Sequence, residues 1–197
     1  MDFLKGEEMK IKYHGHSCFS VTSDNYTIVL DPYCGVNGFK DIDLQANEVI
    51  CSHSHKDHSF VEGVSITKAF SPFDISKIES YHDDCNGQKR GLNNIIVLKA
   101  EGKTIVHLGD LGHALNEEII NRIKHCDILM IPVGGYFTID AKQAIEVIKS
   151  VEPKKVIPMH YRDNENGYDV LGTIDEFVNL YRKPCELIKG YEKEIIL

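Results

Sequence analysis

The chain has 197 residues, 42% of them hydrophobic and 26% charged, which suits one soluble globular domain whose core is large enough to need no staples. Its formal charge of −8 gives no basic footprint and argues against routine nucleic-acid binding, and no apolar run approaches a membrane span. The six cysteines are scattered without a Cys-x-x-Cys pair, and the first residues, with acids at Asp2, Glu7 and Glu8, do not read as a signal peptide, so free thiols in a reducing cytoplasm are expected.

Residues 1–8 are polar and patternless and are expected to form a flexible extension, followed by a single domain over 9–197. Three short strands come first, Lys10–Tyr13, Cys18–Thr22 and Tyr26–Leu30, with turn chemistry at Ser23-Asp24-Asn25 and a stop at Asp31-Pro32. Residues 33–47 read as a loop, and Val49-Ile50-Cys51 as a short buried strand. Ser65–Phe70 and Ile75–Tyr81 read as strands, the second delivering His82 into a polar loop from Asp83 to Asn94. Ile95–Lys99 and Thr104–Leu108 form a hairpin around Glu101-Gly102, and a helix starts near Asn116 with Glu117 and Glu118 in its first turn. Ile128–Val133 is a buried strand. Asp140 and Gln143 open a helix that runs through Ser150, with Ala141, Ala144, Ile145 and Ile148 inward. Lys155–Met159 is a strand ending at His160, Thr173 and Glu176 form a second capping box, and strands around Glu186–Ile188 and Glu194–Ile196 close the chain. Strands first, then strands alternating with helices, predict two sheets packed face to face with helices outside. A faint internal echo, of Asn25–Pro32 in Gly102–Asp110 and of Glu48–His53 in Lys155–His160, predicts two similar halves that bring strand ends to one edge.

Chemistry concentrates just after the Val49-Ile50-Cys51 strand, in His53-Ser54-His55-Lys56-Asp57-His58. In an extended chain residues two apart project to the same side, so His53 and His55 can grip one ion. Asp57 and His58 follow where the chain is expected to turn into a helix, and could serve a second ion. His82 supplies the third imidazole that a tetrahedral site with one open position requires. Asp110 ends an apolar strand, where an unpaired carboxylate is costly, and its two oxygens can bridge two ions. His160 also closes a strand. Asp31 is placed to hold a ligand imidazole by its far nitrogen. His16, beside His14 and Gly15, and His113, just past Asp110, are candidates for pocket roles, whereas His107 and His125 read as structural.

The order His53-x-His55-x-Asp57-His58, His82, Asp110, His160 resembles the metallo-β-lactamase-fold superfamily, whose five motifs are matched from Asp31 to His160. Gly15-His16-Ser17, His107-Leu-Gly-Asp-Leu-Gly-His113 and Pro158-Met-His-Tyr161 are similar to its branch of small zinc-dependent hydrolases containing L-ascorbate-6-phosphate lactonase. The resemblance implies an α+β, four-layer αβ/βα sandwich with two mixed sheets and a dinuclear site at one edge. It places one metal on His53, His55 and His82, a second on Asp57, His58 and His160, and Asp110 between them. It implies two divalent ions, zinc first and manganese, iron or nickel as alternatives, and a bridging hydroxide that attacks an ester, lactone or phosphoester. Asp57 would orient that hydroxide, and His113 or His16 would protonate the leaving group. A small-molecule substrate is expected, with no membrane partner. Self-association is left open. A nucleic-acid phosphodiesterase and a non-hydrolytic redox or metal-sensing module are the alternatives on the same ligands.

Overall fold

A computed structural model describes residues 8–181, 186–187 and 194–197 of the chain. The expected extension lies outside the described residues except for Glu8, which is exposed, while Met9 is fully buried and starts the fold. In chain order the strands are β1 (Lys10–Gly15), β2 (Cys18–Ser23), β3 (Tyr26–Leu30), β4 (Leu44–Ala46), β5 (Glu48–Ile50), β6 (Val64–Ile66), β7 (Asp74–Tyr81), β8 (Leu92–Ala100), β9 (Lys103–His107), β10 (Ile128–Pro132), β11 (Lys155–Met159), β12 (Glu186–Leu187) and β13 (Glu194–Ile196). The helices are α1 (Glu117–Ile123), α2 (Ala141–Val151) and α3 (Ile174–Leu180).

Two mixed sheets carry the fold. One has the order β13-β1-β2-β3-β5, an antiparallel meander with β5 added parallel to β3. The other has the order β12-β11-β10-β9-β8-β7, antiparallel through β7, β8 and β9 and parallel from β9 to β12. α1, α2 and α3 are the crossovers between its parallel strands, as parallel pairing requires. β10 is buried at every position, because the main core covers one of its faces and helices cover the other. Alternation along the first sheet sorts its side chains between two clusters. Phe19, Val21, Ile28, Leu30 and Ile50 enter the main core, whereas Cys18 and Val29 enter a smaller one with Tyr33, Val36, Ile42, Ala46 and Val64. Among the described residues, the outer layer on that sheet is loop, short strand and a 3-10 turn at Val61–Gly63, and the three α-helices are the crossovers of the second sheet.

Several expectations need correction. The stretch after β5 forms consecutive turns rather than a helix: His58 N–H donates to His55 O at 2.9 Å and Ser59 Oγ donates to the carbonyls of Ser54 and His55. Short polar side chains bonding the local backbone offer an alternative to the helical ladder. The loop 33–47 contains β4, which pairs in parallel with β6 to make a separate two-stranded ribbon. The expected strand over Ser65–Phe70 ends at Ile66 because β4 is only three residues long. Asp140 and Gln143 form the reciprocal capping box, but Thr173 begins α3 without a side-chain cap bond, and the Glu176 carboxylate lies against Gly172. Residue 188 lies outside the described residues. The internal echo holds for β3 and β9, each of which ends a meander and precedes a buried aspartate. It is displaced for the other pair: β5 adjoins β3, whereas β10 intervenes between β9 and β11. No helix among the described residues is long and apolar enough to cross a membrane.

Candidate metal centre

The ends of β3, β5, β7, β9 and β11, together with the turn between β1 and β2, deliver Asp31, the 53–58 segment, His82, Asp110, His160 and His16 to one edge of the sandwich. Donor atoms fall into groups whose members all lie within 4.8 Å of one another: His53, His55 and His82 in one, and His16, Asp57, His58 and His160 in another. Asp110 sits between them. Its Oδ2 is 3.1 Å from His82 Nε2, 3.2 Å from His58 Nε2, 3.3 Å from His160 Nε2 and 3.9 Å from His53 Nε2. Asp57 Oδ2 lies 3.4 Å from His16 Nε2 and 4.0 Å from His58 Nε2.

Outer hydrogen bonds fix which ring nitrogens face inward. Asp31 accepts from Ser52 N–H at 2.7 Å, from Ser52 Oγ at 2.6 Å and from His58 Nδ1 at 2.9 Å. Because the single Ser52 hydroxyl proton goes to Asp31, that oxygen accepts from His53 Nδ1 at 2.9 Å. Both imidazoles therefore carry hydrogen on Nδ1, which leaves Nε2 to act as ligand. Asn93 Oδ1 accepts from Asp110 N–H at 3.0 Å while its amide donates to Ser80 Oγ and Leu108 O, pinning the loop that presents the central carboxylate. His16 O accepts from His160 N–H at 2.7 Å and from Tyr13 OH at 2.8 Å, so the two halves are tied directly at the site.

Three of the ten described non-glycine residues with positive φ lie at the site, the others falling in turns and loops elsewhere. Asp31, His16 and His160 all adopt positive φ (45°, 51° and 52°), a left-handed conformation that costs a non-glycine residue energy and clusters at functional sites. The strands also approach closely: a Cβ at Gly134 would collide with the His160 carbonyl oxygen, so only glycine lets the end of β11 lie there.

The residues present fit metal ions. Among the described residues, the buried polar atoms without a hydrogen-bond partner concentrate here: both ring nitrogens of His16, Nε2 of His53 and His58, Nδ1 of His82 and His160, and Asp110 Oδ1. Each such orphan costs about 1–3 kcal/mol, and divalent cations would remove that cost at Nε2 of His53 and His58, at one ring nitrogen of His16 and at Asp110 Oδ1. Burial pushes the Asp110 carboxyl upward, but His160, His58 and His82 outweigh burial and hold it well below the usual carboxylate range. Burial alone would lower His58, yet Asp110 and Asp31 raise it well above the ordinary imidazole value. Burial takes His53 down to about 4 and His160 down to about 3, which keeps both neutral and able to ligate at pH 7.

The centre opens into a cavity of about 530 Å³ lined by His55, Asp57, His82, Asp110 and His160 together with Lys89, Arg90, Phe137 and Tyr168. The seven residues expected as ligands lie together, and Asp31 accepts from His58 Nδ1, the ring nitrogen turned away from Asp110. The two expected proton donors do not fit that role. His113 Nδ1 donates to Ala114 O at 2.8 Å and its Nε2 accepts from Tyr81 N–H at 3.1 Å, and the ring lines a different hollow beside α1 and α2. His16 is buried among the donors rather than on the cavity wall. The site residue absent from the sequence reading is Tyr168. It stands edge-on to His16 with ring centroids 5.6 Å apart, and burial and the neighbouring Asp57 carboxylate push its hydroxyl up to about 12. Nothing in its local pattern, Asn166-Gly167-Tyr168, distinguishes it from a loop tyrosine.

The profile of the Beta-lactamase superfamily domain matches residues 10–160, and the chain belongs to that family. It is 26% identical to a UPF0173 metal-dependent hydrolase of Thermoplasma acidophilum over 92% of this chain and 100% of the relative. It is 31% identical to one of Nanoarchaeum equitans over 78% of this chain and 84% of that one. Among solved structures it resembles a Thermotoga maritima protein described as a zinc-dependent hydrolase of the metallo-β-lactamase superfamily, with TM-score 0.70, 32% identity, and 89% of this chain and 87% of that one covered.

Proposed function

We propose that this metal-dependent hydrolase binds two divalent ions, zinc being the first expectation, and cleaves an ester, lactone or phosphoester bond in a small substrate. The observation that carries the reading is Asp110, whose Oδ2 lies 3.1–3.9 Å from four imidazoles drawn from both donor groups, on the floor of the cavity. His53, His55 and His82 would hold one ion and Asp57, His58 and His160 the other, with His16 as a further donor and Asp110 shared. Ions held there supply Lewis acidity, which lowers the pKa of water and polarises a substrate oxygen. Asp57, ionised and partly open to the cavity, accepts a hydrogen bond from the attacking water and so orients it. Tyr168, protonated at working pH, donates to the leaving oxygen. Asp31 and Ser52 hold the His58 and His53 rings so that neither has to reorganise during turnover. The five described cysteines are free thiols, which supports placement in a reducing cytoplasm.

Screening metal-replete and chelator-stripped protein against lactones, carboxylic esters and phosphodiesters tests the reading: turnover is expected only with metal, and turnover by the stripped form would contradict it. In the same assay Tyr168→Phe should lower kcat roughly 100-fold or more with little change in KM. An unchanged kcat would remove Tyr168 from the mechanism.

A further inference from the structure

The cavity at the metal centre has cations in its lining. It carries Lys89 and Arg90, consecutive residues at the end of the loop that starts directly after His82, in a chain whose overall charge is −8. That loop is built rather than loose. His82 N–H donates to Gly91 O at 3.1 Å and closes its neck, and Gly91 N–H donates to Gly87 O at 2.9 Å. Asp83, 3% exposed, fills its centre: Oδ1 accepts from the N–H groups of Cys85 and Gly87, and Oδ2 from those of Lys89 and Arg90, at 2.8–2.9 Å. One carboxylate thus fixes the backbone from which both cations project, with the metal-site histidine as its immediate neighbour.

Neither cation has a structural duty that accounts for it. Arg90 lies over the Phe137 ring, its guanidinium carbon 5.2 Å from the centroid, and no carboxylate among the described residues pairs with it. Lys89 meets Asp84 at 3.4 Å, but both side chains are largely exposed, and such a pair holds little. The other charged cavity-lining residues are Asp57 and Asp110, which belong to the metal centre, and the exposed Asp169.

We propose that Lys89 and Arg90 form an anion subsite, so that the substrate carries, besides the scissile bond held at the metal centre, a second group that is a carboxylate or a phosphate. This deepens the hydrolase reading and rests on it for the word substrate, while the subsite itself is a matter of binding. Arg90 supplies a fork matched to two oxygens of the anion and Lys89 a movable point charge, and Phe137 keeps the guanidinium from folding back to solvent. The metal centre and the subsite together would select molecules with two polar ends and reject neutral esters of the same size.

The test needs no turnover. Succinate, glutarate and adipate are titrated calorimetrically into zinc-loaded protein beside monocarboxylates of matching length, and 3-phosphonopropionate is added to tell a phosphate-sized group from a carboxylate. At least one doubly anionic ligand should bind roughly 10- to 100-fold more tightly than its singly charged counterpart, as a charge-assisted bidentate contact provides. The advantage should shrink with added salt, and it should vanish in Lys89→Gln/Arg90→Gln protein that retains wild-type zinc content and unfolding temperature. Tighter binding of the phosphono compound than of the dicarboxylates assigns a phosphate, and the reverse a carboxylate. A wild-type protein indifferent to the second charge, or a preference that survives in the double variant, overturns the subsite. Failure of every ester, lactone and phosphoester to turn over would instead count against the hydrolase reading, and leaves this result standing.

Discussion

Asp31 belongs to neither of the two main donor groups, yet it sets the state of two of their members. It accepts a hydrogen bond from His58 Nδ1–H directly and, through Ser52, dictates that His53 also points Nε2 inward. Asp31→Asn keeps the shape but replaces an acceptor of three hydrogen bonds by a group that must place an NH2 among donors. Metal affinity should fall roughly 10- to 100-fold, read by competition with a chromophoric chelator, and an affinity unchanged within twofold would deny Asp31 its orienting role. The histidines make a second expectation. In metal-free protein His53 and His160 are held down to about 4 and about 3 by burial, against about 6.5 in an unfolded chain. Between those values the unfolded state binds more protons, so stability falls as the pH drops from about 6.5 towards 3. His58, raised instead, contributes stability that is fully present below about 6.5 and is lost only as pH rises through its folded value, so it does not offset that slope. Urea unfolding of chelated protein should therefore give a lower midpoint at pH 5 than at pH 7, and equal midpoints would contradict the burial assigned to these rings. This level was the most legible in the sequence, because His-x-His-x-Asp-His is dense with donors. Tyr168 was illegible because a loop tyrosine gains its meaning only from the carboxylate it meets across the chain.

Strands and turns convert that list of residues into a site. Strands of the first meander, the hairpin of β8 and β9, and β11 were read from alternation and turn chemistry to within a few residues, since β-branched runs flanked by Gly, Asn and Asp leave little ambiguity. The segments missed were those whose structure is imposed from outside. β4 exists because β6 pairs with it, and the 52–58 turns are held by Ser59 and His58 bonding back to the carbonyls of Ser54 and His55. The close approaches are equally tertiary. Gly134→Ala would drive a methyl group into the His160 carbonyl, and backbone cannot move aside as a flexible side chain can. The variant should lose about 1–3 kcal/mol of stability in urea unfolding and bind its second metal ion more weakly than its first. Wild-type stability together with wild-type metal content would show that β11 can shift without consequence.

At the scale of the whole molecule, each half supplies part of the centre. The first sheet and its turns give His16, Asp31, His53, His55, Asp57 and His58, and the second gives His82, Asp110 and His160. The β1–β2 turn is bonded to the end of β11 through His16 O and His160 N, so the two sheets are tied together at the site. The order of motifs predicted this convergence. It did not predict that among the described residues the α-helices would all be crossovers of one sheet, because helix placement depends on connections that local periodicity does not report. The central claim is that one buried carboxylate serves two cation sites. It is tested most directly by counting zinc per chain, by elemental analysis after equilibration and gel filtration, in wild type, His82→Ala and Asp110→Ala. The expected result is two ions in wild type, one in His82→Ala and none retained stoichiometrically in Asp110→Ala, with all three folded by circular dichroism. A wild-type protein that takes up no zinc, or an Asp110→Ala protein that still holds two, would contradict it.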